Sequence, residues 1–467
     1  MQRTTRVLVV VAVSFLFLIG GYWFLFTGDP VGRNKENTFS LPSTFTPSGQ
    51  TEAPSGSTSA ATLGNEPPQS VPHPFTHPAN RKDLWVDVSQ NEDTLIRRMA
   101  YIDDRFPSDG PFLVLILMHN EKKKKPSLFA KINYKDIPSI CLPLEYWLQS
   151  GHLDLNHNLP EVYVNRVLRT KGQLRDEAPS SVQVTSDHKC NSGLSVSIPV
   201  RWNSREVSSK SVQRVKYGVC IHKALFGISD PQMLVDWVEI HKALGIQKML
   251  VYLENVSESI PEAVGRYVRD GTLDLFDWHL NKRTRDFGQS GVMTECHYHF
   301  LYNAEYVATY DLDEIVISSE HKTWDDMFNE LSKKHSDFNK IGTFLLYGLR
   351  WHTNFNESQH FSGHEKLCPK VKIPFYFKKT LRENKAWDHP KVIIKPVLTR
   401  LVQVHGANTV RGARGIKLPS ESVACHHYRG EKEGKDHVWE NAHFSDVMKK
   451  YEELVVKEVK KTMCSSQ

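Results

Sequence analysis

Tyr306-Val-Ala-Thr-Tyr310 runs without interruption into Asp311-Leu312-Asp313-Glu314. An apolar run of this length, rich in aromatic and β-branched residues, reads as a buried strand. Two carboxylates one residue apart at its end can face a common point where the chain bends. Such a pair offers hard oxygen ligands to Mn²⁺ or Mg²⁺, an ion that can bridge a diphosphate and neutralise the charge on a departing nucleoside diphosphate. An isolated Asp-x-Asp is common in solvated turns, so the surrounding pattern decides.

Upstream, the pattern alternates strand and helix. Tyr217 to Phe226 reads as a strand, and Ser229, Asp230 and Pro231 supply an N-cap and a first-turn proline. Met233, Trp237, Ile240 and Leu244 then recur on one helical face until Gly245 stops it. Met249 to Leu253, Pro261 to Arg269, Leu273 to Trp278 and Met293 to about Ala304 continue as strand, helix, strand and helix. The series predicts βαβ units and a mainly parallel α/β sheet over residues 211–467. In such a sheet ligands collect outside the carboxyl ends of the strands, where the acidic cluster stands.

Residues 84–210 differ, with short apolar runs such as Phe112 to Met118 broken by polar turns, which predicts a small β-rich accessory domain. The lysines at 122–125 read as a solvated hairpin tip. Residues 27–83 are rich in Ser, Thr, Pro and Gly and read as an extended stalk. Val7 to Phe26 carries no charged side chain, and about 20 such residues cross a bilayer core of about 30 Å. With Arg3 and Arg6 in the 1–6 tail, this predicts a single-pass type II signal-anchor. The catalytic part then faces the lumen and the protein sits in the Golgi membrane.

Seven cysteines, at 141, 190, 220, 296, 368, 425 and 464, are expected to pair in that oxidising compartment with one left over. Cys141 with Cys190 is a plausible internal pair. The sequons Asn255-Val-Ser257 and Asn356-Glu-Ser358 suit lumenal exposure. A net charge of +6 over 467 residues, not massed on one stripe, argues against nucleic acid as a partner. The oligomeric state is open, a homodimer included.

The segment from Val215 to about Gly430 resembles glycosyltransferase family 92. The resemblance rests on Tyr217-Gly-Val-Cys220, Val251-Tyr-Leu253, Gly288-Gln289, Asp311-Leu-Asp-Glu314, Lys391-Val-Ile-Ile-Lys-Pro396 and His427-Tyr-Arg429. It implies a GT-A-type nucleotide-sugar-binding fold and inversion at the anomeric carbon. It also implies transfer of galactose from UDP-galactose in β-1,4 linkage to fucose on N-glycans. By the same resemblance Asp313 is the direct metal ligand, Asp311 lies nearer the nucleotide, and Glu314 is the acid that follows.

A third metal ligand is expected from a histidine near the carboxyl end, with His405 first and His427 or His426 as alternatives. Lys391 and Arg429 are candidate partners for the diphosphate. Inversion also needs a general base for the acceptor hydroxyl. Glu357 is the first candidate, with Glu365, Glu383 and Asp388 left open, and Trp351 and Phe355 form either an acceptor platform or core. The rival readings are a silent, lectin-like glycan-binding ectodomain and a metal-dependent nucleotide-sugar hydrolase.

Overall fold

The computed structural model describes residues 84–148, 163–203, 214–352, 368–382, 387–429 and 447–464, with gaps within these stretches at 90, 107, 109, 281, 283, 285–287, 369–370 and 378–380. The expected signal-anchor and stalk, the second sequon and Glu357 lie outside the described residues. No described helix is long and apolar enough to cross a membrane.

The first eight strands are β1 (Trp85–Asp87), β2 (Thr94–Asp103), β3 (Phe112–Asn120), β4 (Leu128–Asn133), β5 (Ile140–Leu148), β6 (Tyr163–Thr170), β7 (Ser181–Thr185) and β8 (Ile198–Arg201). They pair in the order β1-β2-β3-β6-β5-β4-β7-β8, and β8 returns to β2 through Ala100 and Val200. Strands β2 to β8 therefore close into a seven-strand barrel, which leaves only the short β1 as an edge. Alternation along β4, buried at Leu128, Ala130 and Ile132, fills its core together with Ile96, Leu113, Leu115 and Leu117. A disulfide joins Cys141 to Cys190.

The second sheet begins with β9 (Val215–Ile221) and β10 (Leu225–Phe226), followed by helix α1 (Pro231–Ala243). Asp230 caps α1 by accepting from the Gln232 amide at 3.0 Å, as the Asp-Pro pair requires. Then come β11 (Lys248–Glu254), α2 (Ser259–Arg269), β12 (Leu273–Asp277), α3 (Gln289–Phe300) and β13 (Ala304–Tyr310). Strands β9 to β13 pair in parallel, with β13 beside β9 and β9 beside β11.

After β13 the pattern changes. The chain continues as β14 (Glu314–Ser318), α4 (Trp324–Lys334), β15 (Ile341–His352), β16 (Leu381–Arg382), β17 (Trp387–Ile394), β18 (Thr399–Gln403), β19 (Gly406–Thr409), β20 (Arg414–Lys417), β21 (Val423–Arg429) and α5 (Lys449–Cys464). β17 lies antiparallel to both β13 and β15, and β14 antiparallel to β21.

These pairings correct the expected fold class. The described residues hold 21 strands against five α-helices, a closed barrel and a mixed sheet of eleven strands. They do not form a mainly parallel α/β GT-A domain behind a membrane helix. The physical reason is that the βαβ period ends at Tyr310. Beyond it much of the pairing is antiparallel, and antiparallel neighbours need no crossover helix.

Helix α3 joins the two sheets. Gly288 precedes it at φ 79°, and a Cβ there would lie 2.6 Å from Trp278 Nε1, so this start admits only glycine. A disulfide ties α3 to β9 through Cys296 and Cys220. On the barrel side, Glu295 accepts from Arg97 Nε at 2.9 Å and the Tyr298 hydroxyl donates to Asp103 at 3.0 Å. Arg105 completes this seam with ion contacts to Asp103 and hydrogen bonds to the Pro396 and Thr399 carbonyls.

Candidate functional site

The parallel strands β9 and β13 deliver their last residues to one edge of the sheet. His222 follows β9 and its amide donates to the Tyr310 carbonyl at 3.0 Å, so Asp311 emerges beside it. The turn Asp311 to Glu314 is closed by the Glu314 amide on the Asp311 carbonyl at 3.1 Å and by the Asp311 amide on Glu314 Oε2 at 2.8 Å. The Tyr376 hydroxyl donates to the Leu312 carbonyl at 2.6 Å, which fixes the peptide between the two aspartates.

The two aspartates have different company. Asp311 Oδ2 lies 3.1 Å from His222 Nε2 and 3.9 Å from Lys391 Nζ, and Oδ1 lies 2.6 Å from Lys223 Nζ. Burial works to raise its pKa, but His222, Lys223 and Lys391 outweigh burial and hold the carboxyl well below the usual range. Lys391 also bonds Glu314 Oε2 at 2.8 Å. Its own burial is outweighed by Glu314 and Asp311, so its pKa is raised.

Asp313 is about one-third exposed, and its Oδ2 lies 3.3 Å from His427 Nε2. His427 is brought there by β21, whose antiparallel register sets it opposite Glu314; its Nδ1 is 3.5 Å from Glu314 Oε1. The Asp313 carbonyl takes the Tyr428 amide at 2.8 Å, which keeps the two strands together at this point.

Two donor sets could hold a divalent ion. His222, Asp311 and Glu314 offer ligand atoms within 4.8 Å of one another, but two ammonium groups already stand against those carboxylates, and a cation there would face both of them. Asp313 Oδ2 and His427 Nε2 form the better pair. Among the described residues no lysine or arginine contacts Asp313, and an oxygen and a nitrogen about 3 Å apart match neighbouring ligands of one small ion. The remaining coordination positions would fall to water and phosphate, as is usual for Mg²⁺.

The model of glycosyltransferase family 92 matches residues 215–466, more than half of the chain. The chain belongs to glycosyltransferase family 92. A family 92 protein of Caenorhabditis elegans is 24% identical over 258 residues, which cover 52% of this chain and 47% of the relative. The chain thus spans about half the length of that curated relative. Among solved structures, one described as a Bacillus anthracis glucose-1-phosphate thymidylyltransferase in complex with sucrose is 11% identical. It covers 31% of this chain and 61% of its own, with a TM-score of 0.19. A likeness that weak carries no argument about fold or activity.

Within this family 92 chain, Asp311, Asp313, Glu314, Lys391 and His427 come together at the sheet edge. His405 follows β18 at the turn into β19, with Nδ1 3.2 Å from the carbonyl of Pro390, the residue before Lys391. His426 points to the other face of β21 and packs on Trp351, ring centroids 4.8 Å apart. Trp351 itself is buried, so it is core. Arg429 ends β21 exposed, two residues beyond His427 and so on the same strand face.

Sequence reasoning missed His222, Lys223 and Gln289 as site residues. Gln289 Nε2 lies 3.0 Å from His222 Nε2 at the start of α3. His222 Nδ1 is buried without a hydrogen-bond partner among the described residues. The available signal for His222 and Lys223 was position alone, since they follow the strand next to β13, and for Gln289 it was the Gly288-Gln289 pair of the family resemblance.

Proposed function

We propose that this chain is an inverting, metal-dependent glycosyltransferase that moves galactose from UDP-galactose, in β-1,4 linkage, to a fucose or similar sugar on glycoprotein N-glycans. The observation that carries the reading is the Asp313–His427 pair at 3.3 Å beside a cluster of lysines, at the carboxyl ends of parallel strands. Family membership and the name of the worm relative support the reaction class.

Mn²⁺ or Mg²⁺ held by Asp313 and His427 would supply Lewis-acid stabilisation of the diphosphate leaving group. Lys391, fixed by Glu314, adds a permanent positive charge where that negative charge develops. Asp311, kept ionised, holds His222 and the two lysines in place and is suited to accept a hydrogen bond from the nucleotide. The acceptor hydroxyl attacks the anomeric carbon as a carboxylate takes its proton, and Glu357 remains the candidate base. The Cys141–Cys190, Cys220–Cys296 and Cys368–Cys464 disulfides support an oxidising compartment such as the Golgi lumen.

Turnover of UDP-galactose by the full chain with a fucosylated N-glycan acceptor tests this reading. EDTA should abolish transfer and added Mn²⁺ restore it, and Asp313→Asn should lower kcat/KM by about a hundredfold, the scale of losing one electrostatic contact to the transition state. Equal turnover with and without EDTA removes the metal from the mechanism. The basic groups His222, Lys223 and Lys391 around Asp311, which a cation there would face, favour a second reading, a silent glycan-binding ectodomain, for which glycan binding would survive Asp313→Asn with no transfer at all.

A further inference from the structure

Two lysines neutralise Asp311, and they are held in different ways. Lys391 is 3% exposed and tied to Glu314 at 2.8 Å, so it has a fixed seat 3.9 Å from Asp311. Lys223 is 38% exposed, and Asp311 is its only ion-pair partner among the described residues. Its ammonium lies 2.6 Å from Oδ1, yet that oxygen is buried without a hydrogen bond among the described residues. The contact is therefore close in charge but poorly aligned.

Lys223 sits between the end of β9 and β10, one residue after the anchored His222, on a flexible four-carbon stem. A lysine 38% exposed and held by one misaligned contact is a movable charge. We propose that Lys223 is an exchangeable counter-ion, which rests on Asp311 in the free protein and transfers to a diphosphate oxygen of the nucleotide when it binds. This rests on the sugar-nucleotide reading given above. The exchange replaces a misaligned pair by a charge-assisted hydrogen bond, and it frees Asp311 to accept from the incoming nucleotide.

The exchange predicts effects of opposite sign. With Lys223 removed, the diphosphate loses a ligand and a divalent ion near Asp311 and Asp313 loses a competing charge. Nucleotide binding should weaken, while metal binding without nucleotide should tighten. A lysine with only a structural role would leave both unchanged or weaken both as the fold loosens.

Isothermal titration of the full chain measures both, with UDP in saturating Mn²⁺ and with Mn²⁺ alone. For Lys223→Ala, the UDP Kd should rise about tenfold to a hundredfold, the scale of a hydrogen bond to a charged group. The Mn²⁺ Kd should fall up to about fivefold, the scale of an exposed ion pair. Lys223→Arg should restore UDP binding to within about threefold of the parent, because charge and reach are kept. An unfolding midpoint within about 2 °C of the parent, the scale of a surface change in a large domain, confirms that the fold is intact. Unchanged UDP affinity in Lys223→Ala, or loss of UDP and Mn²⁺ binding together, overturns the exchange. Failure of the parent chain to bind UDP with Mn²⁺ overturns the sugar-nucleotide reading itself.

Discussion

Asp103, at the seam between barrel and mixed sheet, and Asp311, at the sheet edge, are both buried carboxylates paired with basic side chains. Asp103 is fully enclosed beside Arg105, itself 3% exposed, whereas Asp311 and Lys223 are 17% and 38% exposed. Both oxygens of Asp103 are satisfied. Oδ1 accepts from the Arg105 amide at 3.1 Å and Nε at 2.9 Å, and Oδ2 from Nη2 at 2.6 Å and the Tyr298 hydroxyl at 3.0 Å. Asp311 keeps one buried oxygen without a hydrogen bond among the described residues. In both, burial works to raise the pKa and neighbouring positive charge lowers it, so the direction of shift does not tell them apart. Hydrogen-bond satisfaction does. A completed network fixes two parts of a fold, while an incomplete one beside a partly exposed lysine leaves capacity for a ligand.

The largest effect that would break this comparison lies at the seam. Arg105→Ala leaves a fully enclosed carboxylate without its cation, which should cost about 3–5 kcal/mol and lower the thermal midpoint by about 5–10 °C. Asp311→Asn should lower the midpoint by less, since buried Lys391 keeps its bond to Glu314 and Lys223, 38% exposed, can turn to water. Differential scanning fluorimetry of both variants checks this, and equal shifts would erase the distinction.

A smaller effect sharpens the same contrast at a third carboxyl on this edge. Glu254 ends β11 near a cleft lined by Leu253, Asn255, Asp277 and His279, and it accepts from the Leu280 amide at 2.8 Å. Burial, helped by the charge of Asp277, pushes its pKa up to about 7. A raised carboxyl contributes stability below its unfolded pKa and loses it as pH rises through the folded value. Glu254→Gln should therefore gain on the parent at pH 8, by about 1 kcal/mol after allowance for partial exposure, and show no gain at pH 4. Midpoints at the two pH values decide it; equal gains at both would place the charge elsewhere.

The parallel half of the mixed sheet was legible in the sequence, because its elements carry local signals. Asp230-Pro231 starts α1, the apolar runs mark β11 and β13, and the helices between them set the parallel direction. The other half was not legible. Barrel closure rests on Ala100 meeting Val200, and the antiparallel return rests on Val307 meeting Ile394, pairings across long separations that leave no local mark. Extending the βαβ rhythm beyond Tyr310 therefore gave the wrong fold class.

The site divides in the same way. Asp311, Asp313 and Glu314 were legible because they end a recognisable strand. Lys391 and His427 were legible only through the family resemblance, since they arrive from β17 and β21. His222 and Lys223 went unread because their part depends on β9 lying beside β13, a sheet order that no local pattern encodes.

Anomalous diffraction at the manganese edge, from crystals of the full chain grown with UDP and Mn²⁺, addresses the site most directly. The account predicts one anomalous peak about 2.1–2.3 Å from an Asp313 carboxylate oxygen and from His427 Nε2, the range for hard-oxygen and imidazole ligands. A peak bound instead by His222, Asp311 and Glu314, or an ordered nucleotide with no peak at all, would contradict it.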